Sequence, residues 1–292
     1  VEQRGIDIHY ETRALRLIVS CHGPHQRIVG LAVRQNMQEH YFRAGRGVVL
    51  CAGGFIMNED MVREYCPQFL DNKTQIGNPN DTGAGIQMGL SVGGRVINMH
   101  EGFLSLPFYP PATLTFGIFV NGQGQRFINE DAYHGRIGSF LVNQSYPVYL
   151  ILNVEDYGNY ETESWLQAPV VATGESLEEL VSELDLPTGQ LERTIERFNE
   201  DVAEGVDRLF HKDISWLKTL EAPFVALDCT PGAGAFFPYF TLGGLDTTID
   251  GAVRSVHEGV IPGLYAAGRT ACGVPRRGEG YASGSSVGDA TF

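Results

Sequence analysis

Hydrophobic residues follow different periods in different parts of the chain. Up to about residue 55, β-branched or alternating apolar runs lie between turn residues, a pattern that predicts strands. The strands predicted there are Ile6–Tyr10, Ala14–Cys21, Arg27–Arg34 and Val48–Cys51. The last run continues as VVLCAGGF without alternation, as expected of a parallel strand that is buried on both faces.

Helix signals follow this strand-rich region. Asn58 is a suitable N-cap for a helix through Cys66, because its side chain can accept a hydrogen bond from a free amide of the first turn. The run Asp81-Thr82-Gly83 leads into a second helix that ends near Leu90. Two short helices are therefore predicted before residue 103.

The pattern is mixed between about residues 103 and 222. An Asn-Gly turn predicts a β-hairpin, and the stripe of Leu191, Ile195 and Phe198 predicts an amphipathic helix. The elements predicted there are a hairpin at Phe119–Ile128, a strand at Val148–Leu152 and helices at Glu178–Leu184 and Gly189–Val202. Short apolar strands ending in Gly return after Pro223, and GYASGSS opens a terminal helix.

This order predicts an α/β fold in which a nucleotide-type domain is interrupted by an inserted α+β domain. The predicted boundaries are residues 1–102 and 223–292 for the interrupted domain and 103–222 for the insertion. Hydrophobic residues make up 43% of the chain and charged residues 19%, which supplies a sizeable core and excludes a disordered chain.

Composition also argues against several kinds of partner. The net charge of -14 disfavours a nucleic acid, whose phosphates need cationic side chains. No apolar stretch approaches the ~20 residues that span a bilayer. The five cysteines are scattered without a CxxC pair, so neither a disulfide framework nor a metal site is predicted, and we expect a cytoplasmic protein.

Glycine-rich junctions carry the candidate chemistry. CAGGF (51–55) and LYAAGR (264–269) each end a predicted strand, which is where open α/β sheets bind ligands. Ser283-Gly284-Ser285-Ser286 opens the terminal helix, and the free amides of such a turn suit an anion or an electron-rich carbonyl. No GxGxxG follows a strand, and DTGAGIQMG is not that fingerprint because no buried strand precedes it.

Six motifs, taken in order, resemble one superfamily. They are CAGGF, DTGAGIQMG, VNGQGQRFINED, TLGGL, PGLYAAGR and GEGYASGSSVGDA. Together they resemble the FAD-dependent fumarate reductase and 3-ketosteroid dehydrogenase superfamily over nearly the whole chain. The ending, GRTACGVPRRGEGYASGSSVGDATF, is most similar to the 3-ketosteroid delta-4-dehydrogenases.

The resemblance implies FAD as the cofactor and a Rossmann-like FAD-binding domain that is incomplete here. Superfamily members carry a GxGxxG strand and helix before the position that corresponds to Val1, and their terminal helix runs further than Phe292. We therefore expect the chain to be a fragment of a longer protein.

The resemblance also assigns residues to the cofactor. The two glycine turns lie against FAD in the superfamily, the helix start after Asp81 approaches the flavin, and the amides after Ser283 face its pyrimidine edge. The residues so assigned are Ala52, Gly53, Gly54, Thr82, Gly83, Gly85, Gly268, Arg269, Gly284, Ser285, Ser286 and Val287. Arg269 stands where many members have a Glu that holds ribitol hydroxyls, and we expect it to contact a phosphate instead.

Departures from the fumarate reductase pattern argue against a dicarboxylate substrate. Tyr281 replaces an Arg that clamps the substrate, Phe240 replaces a substrate-binding His, and the catalytic Arg falls at Tyr133-His134. A dianion needs charge-assisted partners, whereas a phenol can donate to a ketone. An apolar, steroid-like ketone is therefore implied, and the aromatic residues that could line its pocket are Phe103, Phe108, Tyr109 and Phe240.

The resemblance suggests a division of roles in a dehydrogenation next to the ketone. Tyr281 donates a hydrogen bond to the keto oxygen and stabilises developing enolate charge. Ser283, relayed through Tyr133, removes the proton from the alpha carbon, and the beta carbon delivers hydride to flavin N5. Phe240, Tyr281 and Gly284 bind the substrate.

Other interpretations stay open from the sequence. Arg126, Asn129 and Glu130 are interpreted as a structural turn of the insertion. A flavin-dependent reductase of another enone or an unsaturated acid is the alternative enzyme, and a non-catalytic remnant that has lost FAD is an alternative of a different class.

Overall fold

The computed structural model describes residues 4–20, 26–72, 74–107, 111–158 and 164–291. It begins with a three-stranded antiparallel sheet in which β2 lies between β1 and β3. The strands are β1 (Thr12–Ser20), β2 (Arg27–Gln35) and β3 (Gln38–Arg43). β1 and β2 fall where the apolar runs predict them. β3 was not predicted from the sequence because all six of its residues are exposed and carry no hydrophobic period.

Strand β4 (Val48–Leu50) ends at the CAGG turn and is followed by α1 (Glu59–Tyr65) and α2 (Ala84–Ser91). The predicted cap of α1 is confirmed, since the Asn58 side chain accepts a hydrogen bond from the Met61 amide at 3.1 Å. Gly83 precedes α2 with φ of 76°, a left-handed conformation that Gly adopts without strain.

The middle of the chain alternates short strands and helices. They are β5 (Val96–Ile97), β6 (Gly102–Leu104), β7 (Ile118–Val120), α3 (His134–Leu141), β8 (Tyr149–Asn153), α4 (Val154–Tyr157), β9 (Val170–Gly174), α5 (Leu177–Glu183) and α6 (Gln190–Glu204). The stripe of Leu191, Ile195 and Phe198 is buried on α6, as its period predicts.

The remaining elements return to the first part of the fold. They are β10 (Phe224–Asp228), β11 (Tyr239–Thr241), β12 (Gly244–Leu245), β13 (Ala252–Arg254), β14 (Val260–Ala266) and α7 (Ser285–Thr291). β14 runs parallel to β4, with Leu264 beside Val48 and Ala266 beside Leu50. The two predicted strand-to-glycine junctions therefore end side by side.

Two other pairings connect the middle of the chain to its ends. β6 is antiparallel to β11, which sets Phe103 directly opposite Phe240. β10 lies between β8 and β9 in a four-stranded sheet with β7. This pairing groups Phe224–Asp228 with the middle strands, whereas the boundary predicted at residue 223 assigns it to the part that follows.

Three groups of buried apolar side chains hold these sheets together. One lies between β2, β4 and β14 and includes Ile28, Leu50 and Leu264. A second lies between the four-stranded sheet and helices α5 and α6. The largest joins the other two regions and contains Phe103 and Tyr281. None of the helices within the described ranges is long and apolar enough to cross a membrane.

Several local predictions were wrong. Ile6–Tyr10 is not a strand, because Glu11 has φ of 51° and interrupts the extended chain before β1. The predicted hairpin is reduced to one bridge between Val120 and Arg126. Val49 on β4 is 58% exposed, so β4 is not buried on both faces: it is the outer strand of its sheet in the described part of the chain.

Replacing Gly138 by Ala should lower stability. Gly138 lies on the face of α3 that packs on β6, and a Cβ there would overlap the Leu104 carbonyl oxygen. Backbone must then shift, which costs about 1–3 kcal/mol. Denaturant unfolding of Gly138→Ala measures the loss.

The matched control is Gly288→Ala, since a Cβ on this helical glycine of α7 meets no atom within 4 Å in the described part of the chain. It should be neutral or stabilising by about 0.5–1 kcal/mol. Equal unfolding midpoints for the two variants would show that α3 does not approach β6 at backbone distance.

Candidate functional site

Three glycine-containing turns meet at the carboxyl ends of β4 and β14. The Gly83 amide at the start of α2 donates to the Gly54 carbonyl at 2.9 Å. From the turn after β14, the Thr270 hydroxyl donates to the Gly53 carbonyl at 3.0 Å. A Cβ on Gly85 would press against Thr270, so the absence of a side chain allows this packing. The structure thus brings together the three segments that the sequence assigns to the cofactor.

An ion pair between Asp81 and Arg269 connects these turns. Arg269 Nη2 lies 2.6 Å from Asp81 Oδ2, and the carboxylate is buried. The same carboxylate oxygen accepts the Asn78 amide at 3.0 Å. Gly53 has φ of 77°, and a Cβ on it would overlap Asp81. The guanidinium thus has a partner within the chain, and the phosphate contact expected for Arg269 stays a prediction.

Other glycines at this edge are open rather than enclosed. A Cβ on Gly268 (φ 62°) or Gly284 (φ 91°) would meet none of the described residues within 4 Å. A cleft of about 680 Å³ lies beside Gly268 and is lined by the ends of β14 and α7. Bare backbone that faces a cleft is compatible with a flat ring system lying against the turn. These residues therefore fit a flavin, whereas Gly83 and Gly85 pack inside the protein.

The hydroxyls of Tyr133 and Ser283 form the clearest polar feature near the three glycine-containing turns. The two oxygens are 2.7 Å apart, and the Ser283 amide donates to the Tyr133 hydroxyl at 2.9 Å. Tyr133 occupies the N-cap position of α3, and Ser283 lies two residues before α7. This pairing of distant residues agrees with the sequence-based hypothesis that they act together.

Aromatic rings surround one side of the hydroxyl pair. The ring centroid of Phe103 lies 4.5 Å from that of Tyr281 and 5.1 Å from that of Phe240. Tyr281 and Phe240 are 5.2 Å apart, and Tyr133 is 6.4 Å from Phe103. The Arg269 guanidinium lies over the Phe240 ring at 5.3 Å. We call Phe103, Phe240 and Tyr281 the aromatic wall.

Local packing explains why Tyr281 and Ser283 lie here. Gly278 approaches the Gly102 carbonyl so closely that a Cβ would overlap it. The Gly278 amide donates to the Glu101 carboxylate at 3.1 Å. Tyr281 directly follows the turn Gly278–Gly280, so its ring is delivered to β6. Glu101 was not singled out from the sequence, because its partner is 177 residues away.

His134 borders the same region. Its Nδ1 atom lies 2.6 Å from the Ser105 hydroxyl, and its ring centroid is 4.1 Å from that of Tyr133. Burial lowers the pKa of His134 below its ordinary value, because the charged form loses hydration. The hydrogen bond to Ser105 was missed from the sequence, since a single serine after a strand carries no local signal.

The structure therefore gathers Tyr133, Phe240, Tyr281 and Ser283, as the sequence predicted. Phe108 and Tyr109 lie outside the described residues. Asp81 was missed as a site residue because it was interpreted only as part of the lead into α2. Within the described ranges, no group of three or more His, Cys, Asp or Glu is arranged to hold a metal ion.

Residues 1–284 match the FAD binding domain family, and the chain belongs to that family. It is structurally similar to 3-ketosteroid-delta4-(5alpha)-dehydrogenase from Rhodococcus jostii RHA1, with a TM-score of 0.89 and 36% identity over 100% of this chain and 59% of that chain. The 3-ketosteroid delta1-dehydrogenase of Sterolibacterium denitrificans gives a TM-score of 0.74 and 25% identity, over 99% of this chain and 58% of that chain. In sequence, the chain is 30% identical to NADH:acrylate oxidoreductase of Vibrio harveyi, over 94% of this chain and 28% of that protein.

These similarities confirm the expected superfamily of fumarate reductases and 3-ketosteroid dehydrogenases. They also confirm a mixed α/β fold that corresponds to part of an FAD-binding domain. The chain spans less than two thirds of the length of each of these relatives.

Stability should fall at acidic pH because of His134. A base whose pKa is lowered by folding binds its proton more readily in the unfolded chain. Its contribution to stability is therefore complete above the ordinary histidine pKa of ~6.5 and is lost as pH falls below that value. His134→Gln should reduce this acid-dependent loss, measured as denaturant midpoints at several pH values.

NMR titration of the His134 ring gives a direct readout, and its midpoint should lie below the ordinary value. His257→Gln, at an exposed histidine, should leave the loss in place. A midpoint at or above the ordinary value would contradict the buried setting of His134.

Proposed function

We propose that this protein is an FAD-dependent dehydrogenase that acts on the carbon pair next to the ketone of an apolar, 3-ketosteroid-like substrate. The observation that carries the proposal is the pair of neutral hydroxyls, Tyr133 and Ser283 at 2.7 Å, beside the aromatic wall. Rings suit the face of a hydrophobic ligand, and hydroxyls suit a carbonyl. Structural similarity to two proteins named as ketosteroid dehydrogenases supports the proposal.

The proposal divides the chain into two parts of an FAD-binding domain and a substrate domain. The predicted bounds are residues 1–102 and 223–292 for the first and 103–222 for the second, with β10 moved to the substrate domain because it pairs with β8 and β9. When bound, FAD supplies the acceptor for the hydride that leaves the substrate. Ala52, Gly268 and Gly284 would hold it through exposed or open backbone. The remaining proposed contacts are Gly53, Gly54, Thr82, Arg269, Ser285, Ser286 and Val287. Gly83 and Gly85 pack inside the protein, so their proposed role is to shape the turn that faces FAD.

Tyr281 is proposed to bind the ketone. Its ring packs against Phe103 and Phe240, which restricts where its hydroxyl oxygen can lie. A donor held near the ketone oxygen would stabilise the negative charge that develops there when the alpha carbon loses a proton.

Ser283 and Tyr133 are proposed to move the proton. A neutral hydroxyl is a weak base, so the reaction relies on Tyr281 to make the alpha proton more acidic. Ser283 Oγ accepts that proton as its own hydroxyl proton passes to the Tyr133 oxygen, and the Tyr133 hydroxyl releases its proton to solvent. The Ser283 amide that donates to Tyr133 holds the two oxygens in place.

A small unsaturated acid is the competing substrate, since the Vibrio harveyi relative is named for acrylate. A carboxylate needs a cation that is free to bind it. Among the described residues, Arg269 is the cation that lies over a ring of the aromatic wall, and its charge is balanced by Asp81 at 2.6 Å. This local neutralisation favours the ketone.

Anaerobic titration of the FAD-loaded protein tests the substrate class. A saturated 3-ketosteroid should bleach the visible flavin absorbance, whereas succinate should leave it unchanged, because only the ketone is matched by the neutral site. Bleaching by succinate alone would select the carboxylate alternative. A colourless protein that takes up no added FAD would select the non-catalytic remnant.

Tyr281→Phe should lower turnover of the ketone by about 100-fold, the usual effect of removing one donor to a developing oxyanion. The flavin spectrum should not change, because the ring and its packing remain. Tyr149→Phe, at a buried tyrosine of β8, is the control and should keep turnover. Unchanged turnover in Tyr281→Phe would remove this hydroxyl from the mechanism.

A further inference from the structure

Four charged side chains are buried together, and one of them lies shortly before Tyr133 in the chain. They are Arg126, Glu130, Asp207 and Lys212, and we call them the buried charge cluster. The Arg126 side chain is 5% exposed and the other three are 0% exposed. Two cations and two anions make the cluster neutral.

Direct ion pairs connect the cluster. Arg126 contacts Glu130 at 2.7 Å and Asp207 at 2.9 Å, and Lys212 Nζ lies 3.1 Å from Glu130. The Arg126 guanidinium also lies over the Phe198 ring at 4.9 Å. Each charge therefore has a partner, as burial requires.

Backbone groups bind the same charges. Glu130 accepts the Phe119 amide at 3.0 Å, and Lys212 donates to the Gly117 carbonyl at 2.8 Å. Asp207 accepts the Lys212 amide at 3.1 Å. The cluster therefore fixes three separate stretches of backbone relative to one another.

Stability alone does not account for such a cluster. Removing charges from water costs free energy that their mutual attraction offsets only in part, and packed apolar residues are often at least as stable. Directional ion pairs do, however, fix geometry that apolar contacts leave adjustable. The cluster can therefore contribute by fixing the position of the backbone segments that are bonded to it.

The attached backbone leads directly to Tyr133, three residues after Glu130. In between, the Asp131 carboxylate accepts the Asp213 amide at 2.8 Å and the Asn129 side chain at 2.8 Å. Residues 129–132 are thus anchored to the segment that carries Lys212.

We propose that the buried charge cluster positions Tyr133, fixing where its hydroxyl meets Ser283. Glu130 and Lys212 act as positioning residues through Tyr133 in the dehydrogenation, a role that rests on the proposed function. The fixed geometry itself is present without substrate, so it can be measured separately.

The test uses hydrogen exchange of the FAD-loaded protein without substrate. Lys212→Met removes one cation and leaves Glu130 paired with Arg126. The double variant Glu130→Gln/Lys212→Met removes one charge of each sign, so the cluster stays neutral. It replaces the single variant if that variant does not fold. Lys218→Met is the control, since this lysine of the same region pairs with Glu155 and Asp156.

Both cluster variants should raise exchange in residues 281–287 roughly fivefold or more, because the Ser283 amide loses its acceptor. Peptides from β1 and β2 should not change, and Lys218→Met should resemble the parent. In a Tyr133→Phe background the cluster substitutions should add nothing, as in a double-mutant cycle of residues that act together.

Turnover provides a second readout. The cluster variants should lower kcat about tenfold, with KM within about twofold, because the aromatic wall is intact. Unchanged exchange at 281–287, or a full effect in the Tyr133→Phe background, would overturn the positioning role. Failure of both cluster variants to fold would assign the cluster to stability and overturn it as well. If hydrogen exchange changes as expected but the parent protein does not turn over the ketone, the proposed function is rejected. The positioning of Tyr133 by the cluster is then still supported.

Discussion

Close backbone packing on β6 is the constraint on which the candidate site depends. α3 lies against the Leu104 carbonyl at Gly138, and the turn that precedes Tyr281 lies against the Gly102 carbonyl at Gly278. Neither contact leaves room for a side chain. Together they bring Tyr133 and Ser283, 150 residues apart in the sequence, within one hydrogen bond. Glycines in this chain thus serve the candidate site as well as the turns.

Charge around the site is balanced locally, although the whole chain carries a net charge of -14. Arg269 is paired with Asp81, and Arg126 and Lys212 are paired with two buried carboxylates. These paired cations therefore add little net field. Under the proposed function, hydroxyls and ring faces determine what a bound molecule meets, in contrast to a clamp for a dianion.

The sequence predicted those parts of the fold that depend on short-range patterns of residues. The cap at Asn58, the stripe on α6 and the paired strand-to-glycine junctions are local signals, and the motif order identified the superfamily. β3 was missed because an exposed strand has no apolar period, and the predicted strand Ile6–Tyr10 ignored the break at Glu11.

Predictions for the site divide in the same way. Tyr133, Tyr281 and Ser283 were proposed from motifs. Glu101, which binds the turn before Tyr281, and Asp81, which pairs with Arg269, were missed because these contacts span 177 and 188 residues. Charged residues such as Lys212 resemble surface positions when only one sequence is examined, and nothing in their spacing signals burial.

The antiparallel pairing of β6 with β11 has a consequence for how such proteins diversify. The excursion between these strands leaves and returns at neighbouring positions, with Phe103 opposite Phe240. Doubling the length of a closed loop adds only about 0.6 kcal/mol of closure entropy. The excursion can therefore be lengthened, shortened or exchanged as a module while its two attachment strands keep their register. New chemistries can then arise without a change in the three glycine-containing turns.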